Sequence, residues 1–399
     1  MRRQKFAVGL RAKERFELRC KTAMEPNATQ SKPAHAGQRE RFSTAYRVLD
    51  EAIIAHAFPG CAFGVLSGGQ VVLADALGRF TYEVAAPPVT AETAYDVASL
   101  TKVVATTAAA MLLYQRGLLD LDMPLGELLP GFVIGRPVGS QARHVKLRHL
   151  LAHNSGLPGY VEFFKDTATP QALLRACLEL PLEAEPGARA EYSDPGFILL
   201  GKALEMIFGE DLATWVHREV FEPLRMASTG FCPPASTRLS IPPTEEDIWL
   251  RHRRIQGEVQ DENAWVLKGS GGHAGVFSNV PDLLRFAGEI LKAVSKTEEL
   301  PEETGLFYPS TVHAFSERQG PQGSSRALGW DTPSEPSSSG RHFSKHSIGH
   351  LGFSGCSLWI DLKERIAVVL LTNRTWPDRK SQFIREVRPL FHDAVREAL

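Results

Sequence analysis

The sequence predicts an α+β fold, an antiparallel β-sheet flanked by helices with an all-helical lobe inserted in the middle of the chain. Two short apolar runs near the start, 61–66 and 70–75, are separated by Ser67, Gly68 and Gly69, which reads as a β-hairpin. A second block of strands lies near the end, at 356–361 and 365–373, the latter a β-branched run typical of a fully buried strand. Between the two blocks the text is mostly helical. Segregated runs of strand and helix argue for α+β, where regular alternation would argue for α/β. The two strand blocks are expected to merge into one antiparallel sheet, with the terminal helices on one face.

In chain order, residues 1–38 read as a weakly ordered basic extension carrying Arg2, Arg3, Lys5, Arg11, Lys13 and Arg15. The apolar stretch 6–10 is too short for the h-region of a secretory signal, and Arg11 cuts it. A cytoplasmic location is therefore expected, with a periplasmic one as the alternative if the given start is wrong; Met24 is a second candidate initiator. Over 39–57, Phe42, Tyr46, Val48, Leu49, Ile53 and Ile54 recur near helical spacing, an amphipathic helix closed by Phe58, Pro59 and Gly60. A third strand is expected at 78–83, before Pro87 and Pro88. The Ala-rich run 103–114, free of Gly and Pro, reads as a buried helix ended by Gly117. Further helices are expected at 145–153, 171–180, 197–208, 212–220 and 281–294, and an amphipathic helix at 383–399 closes the chain. The glycines of 268–278 imply close backbone approaches or positive φ. Residues 316–345, rich in Gly, Ser and Pro, read as surface loop around a strand near 328–330. The α/β part thus takes about 39–95 and 270–399, and the helical lobe about 96–269.

Composition narrows the function classes. Hydrophobic residues make up 43% and charged residues 23%, enough apolar content for a large buried core. A net charge of −1 gives no global field for nucleic acid or an anionic membrane, and neither partner is expected. Without a run of 18 apolar residues, no membrane span is expected. Cys20, Cys61, Cys177, Cys232 and Cys356 are scattered and form no Cys-x-x-Cys pair, which argues against a disulfide framework or a thiolate zinc site. His149 and His153 stand four apart but lack the Glu of His-Glu-x-x-His. They read as capping or core residues, and no metal or other cofactor is expected.

Ser99 and Lys102 are the candidate catalytic pair. At the start of a helix, side chains three apart have Cβ atoms about 5–6 Å from each other. A serine hydroxyl is a poor nucleophile until a base takes its proton. A lysine can do so where burial or nearby cations lower its pKa. The helix N-terminus adds N–H groups suited to an oxyanion. The bland alternative is a serine N-cap followed by an ordinary helical lysine. Tyr192 stands in a turn with Asp194, Pro195 and Gly196. A tyrosine near a lysine can serve as general acid or base; alternatively it is a core residue beside an Asp N-cap. His350, Leu351 and Gly352 open a glycine-punctuated strand whose edge suits an extended substrate, or which simply starts a strand. His273 is a candidate cleft residue, with loop packing as the alternative.

Together, Ser99-x-x-Lys102, Tyr192-Ser193-Asp194 and His350-Leu351-Gly352 resemble, in this order, the motifs of the serine β-lactamase and penicillin-binding protein superfamily. The nearest likeness is to its class C-like branch, which includes the SxxK carboxylesterases of family VIII type. Stretches 147–157, 197–201, 272–278 and 358–361 match as well, so the resemblance runs from about residue 40 to the end. It implies a β-lactamase/transpeptidase-like serine hydrolase domain over 39–399, working without cofactor. Ser99 would be the nucleophile that becomes acylated. Lys102 and Tyr192 would share the proton transfers, with the identity of the acylation base left open. Backbone N–H groups of Ser99 and Phe353 would form the oxyanion hole. Asp194, His350, Gly352 and His273 would meet the substrate.

The resemblance implies a small ester, amide or peptide as substrate, β-lactams included. Its alternatives are a DD-carboxypeptidase or D-amino-acid peptidase on cell-wall peptides, a class C-like β-lactamase and, outside enzymes, a catalytically silent ligand-binding or sensor module. The oligomeric state is not set by the sequence. Two departures bear on the substrate: the second motif ends in Asp194 where class C enzymes usually have Asn, and the third begins with His350 where Lys is usual. An ionised carboxylate only accepts hydrogen bonds. A histidine titrating near pH ~6.5 replaces a permanent cation. Both changes point away from an efficient β-lactamase and toward an esterase or peptidase.

Overall fold

The computed structural model describes residues 36–295 and 305–399. The extension expected at 1–38 lies outside them except for its last three residues, which open a short helix, Ala36–Arg41. The central sheet has five strands: β1 (Gly60–Ser67), β2 (Gln70–Gly78), β3 (Ser347–Leu351), β4 (Ser357–Asp361) and β5 (Ile366–Thr372). Their order is β2-β1-β5-β4-β3, and every neighbouring pair is antiparallel. The two strand blocks of the sequence meet where β1 pairs with β5, with Phe63 opposite Leu370 and Val65 opposite Val368.

The main helices are α1 (Ser43–Ile54), α2 (Ala108–Gln115), α3 (Asp194–Phe208), α4 (Val280–Val294) and α5 (Ile384–Glu397). Side chains alternate across a strand, and this sets the layers. Phe63, Val65, Val368 and Leu370 pack with Tyr46 and Leu49 of α1 and Phe391 and Val395 of α5. Ala62, Leu66, Val369 and Leu371 join the other cluster, with Leu283, Leu284 and Ala287 of α4. Each fully buried Val, Leu or Phe contributes about 1.5–3 kcal/mol. Gly64 lets α4 come close, because a Cβ there would collide with Val280 and Leu284. Val103, Val104, Met111 and Leu112 extend the same core to Phe197, Leu200 and Leu204 of α3.

Two strand expectations change. No separate strand forms at 78–83: β2 runs to Gly78, and beyond it only an Arg79–Pro88 bridge forms. Pro87 and Pro88 remove the donors a ladder needs. Near 328–330 only single bridges occur, Arg326 with Asp331 and Asp331 with Gly349. Gly329, at φ 85°, breaks the extended run. The Asp331–Gly349 bridge attaches this segment to the outer edge of β3. Among the described residues, no helix is long and apolar enough to cross a membrane.

Candidate active site

Ser99 sits where a strained turn feeds a buried helical rod. The two-residue strand Tyr95–Asp96 pairs with Val276–Ser278. Ala98 follows at φ 48°, a left-handed conformation uncommon for a residue with a Cβ. The Asp96 carboxylate braces this turn, accepting from Ala98 N–H at 2.8 Å and from Gln260 N–H at 2.7 Å. Burial pushes that carboxyl up to about 6, although the two amides work in the opposite direction. The rod then changes pitch. A 3₁₀ turn, Ala98–Leu100, leads to a π-helical stretch, Lys102–Thr107, before α2 begins. The helix expected from 103 is therefore α-helical only from Ala108. Thr101 Oγ1 accepts from Val276 N–H at 3.0 Å and Thr106 Oγ1 donates to the Gly272 carbonyl at 2.6 Å. These bonds tie the π stretch to the glycine-rich segment. A Cβ on Gly272 would collide with the Phe197 carbonyl and Gly201, which is the close approach its glycines predict.

Lys102 is fully buried one turn from Ser99. Its Nζ donates to three acceptors: Asp194 Oδ1 at 2.6 Å, the His273 carbonyl at 3.0 Å and Ser99 Oγ at 3.1 Å. These account for all three hydrogens of an ammonium. Burial acts to lower its pKa, but Asp194 and then Tyr192 outweigh burial, and the net direction is upward from the ordinary lysine value. Tyr192 Oη donates to Ser99 Oγ at 2.7 Å. Burial raises the phenol, Lys102 opposes it, and the net direction is again upward. The resting pair is thus a charged lysine and a neutral tyrosine.

Local chemistry before α3 aims these groups. Ser193, rather than Asp194, is the N-cap, accepting from Gly196 N–H at 3.0 Å and donating to the Pro158 carbonyl at 2.7 Å. That leaves the Asp194 carboxylate free to turn to Lys102. The Ser193 amide donates to His153 Nδ1 at 2.9 Å, and the His153 ring lies 4.6 Å from the Tyr192 ring. His153 is therefore a buried residue that seats Tyr192. Asp261 caps a short helix, Glu262–Val266, and Asn263 ties that helix to the backbone of Val161 and Phe164.

The third motif packs directly on the nucleophile turn. A Cβ on Gly352 would strike the Val97 carbonyl, and Ser354 Oγ donates to the Asp96 carbonyl at 2.7 Å. Arg388 of α5 donates to the carbonyls of Gly352, at 2.6 Å, and Cys356, at 3.0 Å. A trans peptide points its N–H opposite to its C=O, so the Phe353 N–H points away from Arg388. Among the described residues that amide donates to no backbone acceptor.

Three candidate substrate-contact residues already have partners within the protein. The His350 ring is buried and its Nδ1 lies 2.9 Å from the Leu351 carbonyl. Burial, with Lys102 and Arg326 nearby, holds it well below the ordinary histidine value, so it does not titrate near neutrality. The His273 ring is also buried and bonds Asp261 Oδ1 at 2.9 Å, so His273 reaches the site through its carbonyl and not its ring. Asp194 meets Lys102. Sequence reading does not flag Asp96, Arg388 or Arg326. The Arg326 guanidinium lies 5.2 Å from the Tyr192 ring centroid, in the segment read as surface loop. Its one visible signal is an isolated cation just before Leu328, Gly329 and Trp330.

A five-stranded antiparallel sheet packed between helices and a serine approached by both a lysine and a tyrosine define a serine hydrolase; the middle of the chain, expected to be all-helical, also holds a two-stranded sheet, Glu245–Asp247 with Arg253–Ile255. The chain belongs to the beta-lactamase family, whose sequence model matches residues 43–388. It is 30% identical over 375 residues to the N-acetylmuramyl-L-alanine amidase of Bacillus subtilis (strain 168), covering 84% of this chain and 82% of the amidase. Among solved structures it superposes on EstCE1, a hydrolase with promiscuous acyltransferase activity, with a TM-score of 0.71 at 22% identity, covering 91% of this chain and 100% of that one. It also superposes on the octameric penicillin-binding protein homologue from Pyrococcus abyssi, with a TM-score of 0.67 at 20% identity, covering 88% of this chain and 76% of that one. These two likenesses establish the shared fold.

Proposed function

We propose that the protein hydrolyses a small ester or amide through an acyl-enzyme on Ser99. The double approach to the Ser99 hydroxyl, by Lys102 Nζ at 3.1 Å and Tyr192 Oη at 2.7 Å, carries this reading. Ser99 Oγ attacks the carbonyl carbon. Its proton passes to Tyr192 Oη as the Tyr192 proton passes to the leaving oxygen or nitrogen, so the phenol ends neutral. Lys102 stays an ammonium, since three acceptors already take its hydrogens and no lone pair is free. It stabilises the negative charge that builds on the serine and phenol oxygens during transfer. The Ser99 and Phe353 N–H groups receive the oxyanion. The C–O or C–N bond breaks, leaving the acyl group on Ser99. A water then attacks, and its proton returns through Tyr192 to Ser99 Oγ.

A second reading makes the bond an amide of a cell-wall fragment. It is favoured by the similarity, over 84% of this chain, to an N-acetylmuramyl-L-alanine amidase. One panel tests both: 4-nitrophenyl butyrate, N-acetylmuramyl-L-alanine, a D-Ala-D-Ala peptide and nitrocefin, with intact-protein mass measured during turnover. The expected result is an acyl mass increment on the wild type that is absent from a folded Ser99→Ala variant. Full turnover by that variant overturns the assignment.

A further inference from the structure

Three sides of the site meet on one buried residue. Asp96 is 2% exposed and ends the two-residue strand Tyr95–Asp96. Its two carboxylate oxygens are divided: Oδ1 accepts from Ala98 N–H and Oδ2 from Gln260 N–H. Its backbone carbonyl accepts from Ser354 Oγ, in the loop that carries Phe353.

Each partner leads to a different working group. Ala98 precedes Ser99, and its left-handed backbone at φ 48° persists only where the surroundings impose it, at a cost of about 1–3 kcal/mol. Gln260 precedes Asp261, which bonds the His273 ring, and the His273 carbonyl accepts from Lys102 Nζ. The Gln260 side chain is fixed as well, donating to Glu245 Oε2 at 3.1 Å and accepting from Thr375 Oγ1 at 3.2 Å. Ser354 follows Phe353, whose N–H is proposed for the oxyanion hole. The nucleophile turn, the lysine's support and the third-motif loop are thus all tied to Asp96. None of its hydrogen bonds reaches Ser99, Lys102 or Tyr192. A hydrogen bond to an ionised acceptor is about twice as strong as one between neutral groups, so a carboxylate holds two N–H groups better than a neutral side chain would.

We propose that Asp96, in its ionised form, is a positioning residue for the reaction: its carboxylate sets the Ser99 turn against the segment that supports Lys102, and its carbonyl keeps the third-motif loop in register with both. This rests on the hydrolase reading and adds a proton-sensitive brace to it. Burial pushes the Asp96 carboxyl up to about 6 against the pull of the two amides, so the brace loosens in mild acid. Of the charged groups facing it, Asp261 raises it further and Arg251 lowers it. Burial opposes the ionisation of Asp261, but His273 holds that carboxyl below the ordinary range. The Cys356 Sγ lies 3.8 Å from the Asp96 carbonyl, and burial pushes this thiol up to about 11. Asp261, Arg251 and Cys356 therefore keep their charge states between pH 5 and 8. The strand Val276–Ser278, which pairs with Asp96, brings no titratable side chain.

Hydrolysis of 4-nitrophenyl butyrate, a neutral ester, tests it through the pH profile of kcat/KM, which reports the free enzyme. The wild type is expected to lose rate as pH falls through about 6. Asparagine at 96 must turn its NH2 toward one of two N–H donors. Asp96→Asn should therefore lower kcat by about 10²-fold at pH 7.5 and leave KM nearly unchanged, the cost of a misplaced nucleophile. Its profile should also lack the limb at about 6. Ser354→Ala removes one hydrogen bond to Asp96 and should lower kcat by up to about tenfold while keeping the limb. Melting curves show which variants fold, and if Asp96→Asn does not, the wild-type limb and the Ser354→Ala rate decide together. The proposal is overturned by a wild-type profile flat through pH 6, by a limb that survives in Asp96→Asn, or by an unchanged kcat in either folded variant. Failure of the hydrolase reading looks different: the ester would not acylate Ser99 at any pH.

Discussion

Lys102 Nζ lies 2.6 Å from Asp194 Oδ1, an ion pair in which the lysine is wholly enclosed while 14% of the carboxylate side chain stays exposed. A buried charge is tolerable only while it is paired and hydrogen-bonded. Asp194 therefore decides the protonation state of the residue beside the nucleophile. Asparagine at this position would offer an acceptor without charge, whereas aspartate fixes an ammonium.

The Asp194→Asn variant should lose that fixation. Burial then dominates and the Lys102 pKa falls. A lysine whose folded pKa is raised gives stability that is full below its unfolded value and is lost as pH rises through the folded one. In the variant that loss moves to lower pH. The alkaline limb of kcat/KM should move down with it, with up to about 3 kcal/mol of stability lost at pH 7. Rate profiles and melting curves between pH 6 and 10 read both. An alkaline limb that stays in place removes Asp194 from the proton chemistry. A faster rate at neutral pH would instead make uncharged Lys102 the base.

Gly352 is where the third motif touches the nucleophile turn, and a Cβ there would strike the Val97 carbonyl. Gly352→Ala should shift the loop that carries the Phe353 N–H proposed for the oxyanion hole. A displacement of about 1 Å in such a site costs about 10²-fold in rate. We expect kcat to fall by that order, with KM for a neutral ester changed far less. Steady-state kinetics on 4-nitrophenyl butyrate provide the measurement. An unchanged kcat would remove Phe353 from the oxyanion hole.

How much of this was legible follows from which physical signals are periodic. The sheet was readable because 365–373 is a β-branched apolar run, as a strand buried on both faces requires, and Ser67-Gly68-Gly69 marks a hairpin. Ser99 and Lys102 were readable because their spacing is a helical one. The π pitch from Lys102 to Thr107 was not, since the choice between i+4 and i+5 bonding leaves no mark on hydrophobic spacing. Arg326 was not, because a lone charge in a Ser-rich segment acquires meaning only from Tyr192, distant in sequence. His350 was visible as a residue but its ionisation was misread, because burial and two neighbouring cations are tertiary facts.

His392 lies on α5, fully buried, with Nε2 3.1 Å from Ser357 Oγ and the Phe343 ring edge-on at 5.8 Å. Burial, reinforced by Arg388, lowers its pKa to about 3. A group with a depressed folded pKa gives stability that is present above its unfolded value, about 6.5, and is lost as pH falls toward the folded one. Unfolding in mild acid must therefore take up a proton at this site. His392→Phe keeps an aromatic ring among Phe343 and Phe391 and removes the proton. Urea unfolding at pH 7.5, 6.5 and 5.5 should show the variant losing less stability per pH unit, by up to about 1.4 kcal/mol. His153 and His350 remain in both proteins, so the difference isolates one imidazole, whatever the offset at pH 7.5. Equal slopes would mean that His392 titrates alike in the folded and unfolded chains.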